Sequence, residues 1–86
     1  MIITYAPKFL RQFKKLELGL KTTAKEKIAV FKENQNISIL HTHKLHGDLV
    51  NRWAFSINYR YRIVFKYLPT GEINFLAIDD HDIYKR

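Results

Sequence analysis

Between residues 53 and 67 the chain alternates, and a period of two commits it to a sheet with one apolar side. Trp53, Phe55 and Ile57 fall on one side of an extended segment, and Ala54, Ser56 and Asn58 fall on the other. After a tight connection near Asn58 and Tyr59, the residues Tyr61, Ile63, Phe65 and Tyr67 repeat the pattern, with Arg62, Val64 and Lys66 opposite. Pro69-Thr70-Gly71 is a turn signal, and residues 73–78 make a third, mostly apolar strand. The aromatic side of this meander needs a cover. The other side, with Ser56, Asn58, Arg62 and Lys66, is expected to stay open.

The cover is expected from the first third of the chain. After a short β-prone start (Ile2, Ile3, Tyr5), Pro7 suits the first turn of a helix. Phe9, Leu10, Phe13 and Leu16 recur at helical spacing, and Gly19 is placed to end that helix. Thr23 with Glu26 reads as a capping box for a second helix, whose stripe is Ala24, Ile28 and Phe31 and which Asn34 to Asn36 stop. Periodicity is then lost from Gln35 to Asn51, a length of loop that often carries function. The order β-α-α-β-β-β predicts an α+β fold: two N-terminal helices packed on one face of a small antiparallel sheet. With 86 residues the chain is a single domain, 1–86, and with no cysteine its core rests on packing alone.

Fifteen Lys and Arg against eight Asp and Glu give a formal charge of +7. Such a field attracts nucleic acid, ribosome or an acidic protein, and charge alone does not choose among them. No apolar run approaches the roughly 20 residues of a membrane span. The N-terminus lacks the basic-then-apolar plan of a signal peptide, so a cytoplasmic protein without a membrane partner is expected. His41, His43 and His46 suggest a metal, since 41 and 43 share a side if extended. With no cysteine and only Asp48 nearby as a carboxylate, no metal and no other cofactor is expected.

Four segments taken together resemble the RelE/ParE toxin superfamily, in particular its YafQ-like branch. They are Lys44-Leu45-His46-Gly47-Asp48, Trp53-Ala54-Phe55-Ser56-Ile57, Tyr61-Arg62-Ile63-Val64-Phe65 and Asp80-His81-Asp82-Ile83-Tyr84. The likeness spans nearly the whole chain, and the order and spacing of the segments carry it rather than any one motif. It implies the toxin of a type II toxin–antitoxin system, held by a cognate antitoxin protein, that cleaves messenger RNA, usually on the ribosome. It also implies that the open sheet face binds RNA, that Arg62 meets the scissile phosphate and that His81 serves in acid–base chemistry. Tyr84 matches a C-terminal aromatic of the family, and His43 and Lys44 match a histidine and lysine ahead of its glycine element.

Metal-independent cleavage requires a base for the 2′-OH, a cation for the crowded phosphate and an acid for the departing 5′-oxygen. Histidine transfers protons near neutral pH, and guanidinium fits phosphate through paired hydrogen bonds. Catalytic roles are therefore expected for His81 as acid, Arg62 at the phosphate, and Lys44 or His46 as added charge or base. RNA contacts are expected from His43, Ser56, Asn58, Arg60, Lys66 and Tyr84. By residue type alone, Arg62 also reads as an ordinary strand charge, and His81, between Asp80 and Asp82, as part of a surface charge cluster. Two further functions stay open: a ParE-type inhibitor of DNA gyrase that cuts nothing, and a degenerate toxin that only binds its antitoxin.

Overall fold

The computed structural model describes residues 1–47 and 51–80. The chain runs β1 (Ile3–Tyr5), α1 (Pro7–Lys14), α2 (Leu18–Glu33), a 3₁₀ turn (Ser38–Leu40), β2 (His43–Lys44), β3 (Trp53–Ser56), β4 (Tyr61–Tyr67) and β5 (Ile73–Asp80). Among the described residues the strands form one sheet in the order β1-β5-β4-β3-β2. The α+β arrangement and the meander stand as the alternation implies.

Two features of the sheet depart from the expected antiparallel plan. β1 lies parallel to β5, with Ile3 opposite Ile73 and Tyr5 opposite Phe75. The whole intervening chain makes the crossover that a parallel pair requires. His43 and Lys44 add a further edge strand, pairing with Ala54 and Trp53. Two residues are too few to display a period, which is why this strand has no signature in the sequence.

The helix boundary moves as well. α1 stops at Lys14 and α2 begins at Leu18, so Gly19 lies inside the first turn rather than after a helix end. Thr23 does not cap: its hydroxyl donates to Gly19 O at 3.1 Å, and that of Thr22 donates to Leu18 O at 3.2 Å. The early start sets Leu20 and Ala24 four apart on one face, toward the core.

Aromatic packing fills the space between helices and sheet. Phe31 of α2 stacks on Phe55 at 4.4 Å between centroids, and meets Phe65 and Phe75 edge-on at 5.1 and 5.7 Å. From α1, Phe9 reaches Phe75 at 5.5 Å. The β4–β5 turn closes through Gly71, whose φ of +89° suits glycine and whose N–H donates to Leu68 O at 2.8 Å.

One irregularity aims the far end of β5. Val64 pairs with Ala77 but Phe65 pairs with Phe75, so Leu76 is an extra residue in the ladder. Such a bulge shifts the in–out phase by one. Ile78 then faces the helices, and Ala77 and Asp79 face away. Because β1 ends at Tyr5, no strand receives the Ile78 N–H; it donates instead to Gln12 Oε1 at 2.7 Å.

Candidate nucleic-acid interface

Directly opposed residues on neighbouring strands share a face, so the pairing register sorts the expected site residues. The face away from the helices carries three cross-strand rungs. The first is Ser56–Arg62–Asp79, at the end of the sheet nearest the β3–β4 loop. The second is His43–Ala54–Val64–Ala77. The third joins Lys66 to Asn74 and Thr4, and here Asn74 Nδ2 donates to Thr4 Oγ1 at 2.8 Å. Four of the expected residues, His43, Ser56, Arg62 and Lys66, therefore do lie on one face.

That face is less open than expected. Ala54, Val64 and Ala77 are buried. Arg62 is not a freely solvated charge: its side chain is 14% exposed, and Nη2 lies 3.6 Å from Asp79 Oδ2. An arginine opposite an aspartate on the next strand gains an opposite-charge pair. The pair holds the guanidinium over the rung.

Next to it, Arg60 is bound more tightly. Its Nε and Nη2 donate to the same oxygen of Asp80, Oδ2, at 2.9 and 2.7 Å, and its guanidinium lies 5.4 Å from the centre of the Tyr61 ring. A phosphate at Arg60 must share this cation with a carboxylate. Asn58 serves the loop rather than a ligand: its Oδ1 accepts the N–H groups of Arg60 and Tyr61 at 2.9 and 2.7 Å.

The histidine segment divides. His41 takes a left-handed conformation at the end of the 3₁₀ turn, φ 50°, and this breaks the extended geometry that would set it beside His43. The two meet another way, with His43 Nδ1 2.7 Å from His41 O. A carbonyl oxygen only accepts, so that contact places the proton on Nδ1 and leaves Nε2 of a neutral ring as the acceptor. Among the described residues no group of three His, Asp or Glu comes together as a metal cage.

Lys44 falls on the opposite face, paired with Trp53, whose ring packs toward the core. The sheet itself separates Lys44 from Arg62. His46 is exposed beyond the end of β2, and the register does not bring it to the rungs. His81 and Tyr84, and Asp48 in the histidine segment, lie outside the described residues.

Two strand spacings of about 4.8 Å and one rung of about 6.7 Å put the His43 and Arg62 Cα atoms roughly 12 Å apart. Both side chains project from the same face, so a phosphodiester can lie between them. His43 was expected only as an RNA contact. Its fixed tautomer depends on the left-handed turn at His41, which residue spacing does not reveal.

No protein-family model and no curated protein matches the sequence. The fold does match solved structures. A YoeB/ParE toxin from Agrobacterium tumefaciens superposes with a TM-score of 0.76 at 14% identity, over 94% of this chain and 99% of that one. YafQ from E. coli gives 0.76 at 14% identity, over 94% and 93% of the two chains. The intact E. coli RelBE toxin–antitoxin complex gives 0.69 at 16% identity, over 92% and 94%. At these identities the likeness is one of fold. The chain has the fold of the RelE/ParE-type toxins along nearly its whole length. Among the described residues no helix is long and apolar enough to cross a membrane.

Proposed function

We propose that the chain is the toxin of a type II toxin–antitoxin pair and cuts messenger RNA on the ribosome without a metal. The observation that carries this reading is Arg62, held by Asp79 on the helix-free face of a toxin fold, one rung from a histidine with an available Nε2. The strand that bears Asp79 and Asp80 leads directly to His81 in sequence.

In the proposed reaction the 2′-oxygen attacks the adjacent phosphorus as its proton passes to a base. The P–O5′ bond breaks, and the departing oxygen takes a proton from an acid, leaving a 2′,3′-cyclic phosphate and a 5′-OH. His43 Nε2 is the base and His81 the acid, and the Arg62 guanidinium stabilises the charge that builds on the phosphate oxygens. His43 takes the base role expected of Lys44 or His46, because Lys44 lies across the sheet. Ser56 and Lys66 line the path of the strand, and Tyr84 stacks on a base or orients His81.

The partner is a cognate antitoxin with an acidic, partly apolar segment that neutralises the +7 surface. The neighbour complexes of YafQ with DinJ and of RelE with RelB pair a toxin of this fold with an antitoxin. Translated messages and ribosomes place the activity in the cytoplasm.

Expression without the antitoxin is expected to stop growth and leave discrete cuts in translated messages. Arg62→Ala, His81→Ala and His43→Asn should each restore growth and give folded protein. If all three remain toxic, the site assignment fails. Broken DNA dependent on gyrase, with messages intact, would replace the nuclease by a gyrase inhibitor.

A further inference from the structure

The β3–β4 loop carries an aromatic ring that the core does not use. Tyr59 is 95% exposed, although its neighbour Ile57 is buried in the core at 1%. The loop is nevertheless tied down. The N–H groups of Ile57 and Asn58 donate to Tyr61 O at 2.9 and 3.3 Å, and Asn58 Oδ1 accepts two more backbone N–H groups. With its backbone held this way, Tyr59 extends outward from a fixed base.

The surroundings mix polar, charged and apolar groups. On one side of Tyr59 a cleft of about 420 Å³ is lined by Lys27, His41 and Ser56, together with Ile39 and Ile57. On the other side a cleft of about 440 Å³ is lined by Arg60, Tyr61 and Thr23, with Glu17 at its border. A protein hot spot sets its aromatic in a desolvated apolar pocket. A ring held out in solvent, with Lys27 in one bordering cleft, fits instead a flat π-face that brings its own negative backbone.

Position supplies the last constraint. The loop joins the strands at the end of the sheet that holds the Ser56–Arg62–Asp79 rung, and Tyr59 precedes Arg62 by three residues. A strand with its phosphate at Arg62 can therefore set a neighbouring base over the loop.

We propose that Tyr59 is a stacking platform for one unpaired base of single-stranded RNA, adjacent to the nucleotide at Arg62. This rests on the RNA-cutting reading above and adds to it a residue that positions the strand. Base–aromatic stacking depends on the ring and not on the hydroxyl, so Phe and Trp should substitute for it and Leu should not.

The test uses the purified full chain and a fluorescein-labelled, fully 2′-O-methylated RNA octamer, which cannot be cut, read by anisotropy at low salt. Tyr59→Ala is expected to weaken binding by about 5- to 150-fold, the range of one stacked base, with the melting temperature unchanged. Tyr59→Trp should bind at least as well as the parent. One abasic position in the octamer should weaken the parent as much as Tyr59→Ala does, and should weaken that variant no further. A Tyr59→Ala protein that binds within about twofold of the parent overturns the proposal. So does a loss seen only in association with purified antitoxin, which would make the ring a protein contact. Message cutting by the parent, with octamer binding indifferent to Tyr59, would leave the nuclease reading intact and remove only the platform. Tyr59-dependent binding without message cutting would do the reverse.

Discussion

On the helix side of the sheet, cross-strand neighbours are aromatic or branched apolar groups; on the far side, small side chains sit among polar groups and an ion pair. The same strands build both, since Ile63 and Phe65 point inward from β4 while Arg62 and Lys66 point outward. The inner face is closed to change: Phe31, Phe55, Phe65 and Phe75 are fully buried and in mutual contact. The outer face holds Arg62 in place with the carboxylate of Asp79, while the Arg60–Asp80 pair lies at the end of the sheet on the Tyr61 side. The contrast separates two demands on a small domain. Stability comes from one face, and a fixed cation among polar groups is carried on the other.

The most damaging single change should fall on the inner face. Phe31→Ala removes the ring that bridges α2 to three strands and is expected to cost about 3–5 kcal/mol. A domain of this size has a total of about 5–15 kcal/mol, so urea unfolding should begin near zero denaturant. On the outer face, Lys66→Ala should stay within about 0.5 kcal/mol of the parent. Equal losses at the two positions would erase the distinction.

Next in size is a change that should spare the fold and remove the chemistry. Arg62→Ala is expected to lower message cutting by about 10²- to 10³-fold, the usual cost of losing one donor to a developing anion. Arg62→Lys should not restore it, because a point charge cannot replace the planar fork. Arg62→Ala also leaves Asp79 without its cation. The double variant Arg62→Ala/Asp79→Ala should regain urea resistance while remaining inactive. A double variant that regains cutting would show that Arg62 only neutralises Asp79.

The inner face was the more legible of the two in sequence, and the reason is physical. Burial imposes a period, so Trp53 through Tyr67 announces two strands and Phe9 through Phe31 announces two helices. Charge imposes none. Alternation alone puts Arg62 on the far face, but its aspartate partner comes from β5 and depends on the Leu76 bulge, which no local pattern encodes. Lys44 and His43 differ by one position and hence by a whole face, a distinction that only the pairing with Trp53 and Ala54 settles. Thr23 reads as a cap because its type suits one, yet within a helix it bonds back to the preceding turn instead, as Thr22 does.

A third, smaller effect probes the loop that joins the two faces. Asn58→Ala removes the acceptor of two backbone N–H groups and should lower stability by about 1 kcal/mol, since both donors can turn to water. Its larger consequence should be a loosened Tyr59, with octamer binding weakened even though the ring is unchanged. Stability loss without any change in binding would separate the turn from the platform.

The smallest effect should appear at the margin of the core, where Tyr67 belongs partly to each environment. Its ring meets Trp53 and Phe65 edge-on, both at 5.5 Å, and its hydroxyl donates to Gln35 Oε1 at 2.7 Å. Burial raises its pKa above the ordinary value of 10.0. The unfolded chain then gives up this proton more readily than the folded one, so the contribution to stability is full below about pH 10 and falls as pH rises through the higher folded value. Tyr67→Phe lacks both the hydrogen bond and the titration. At neutral pH it should be weaker than the parent by about 1 kcal/mol, and the two urea midpoints should converge as the pH is raised past about 10. A gap that stays constant across that range would mean that the phenol is as well solvated in the fold as in the open chain, and that the inner face ends before Tyr67.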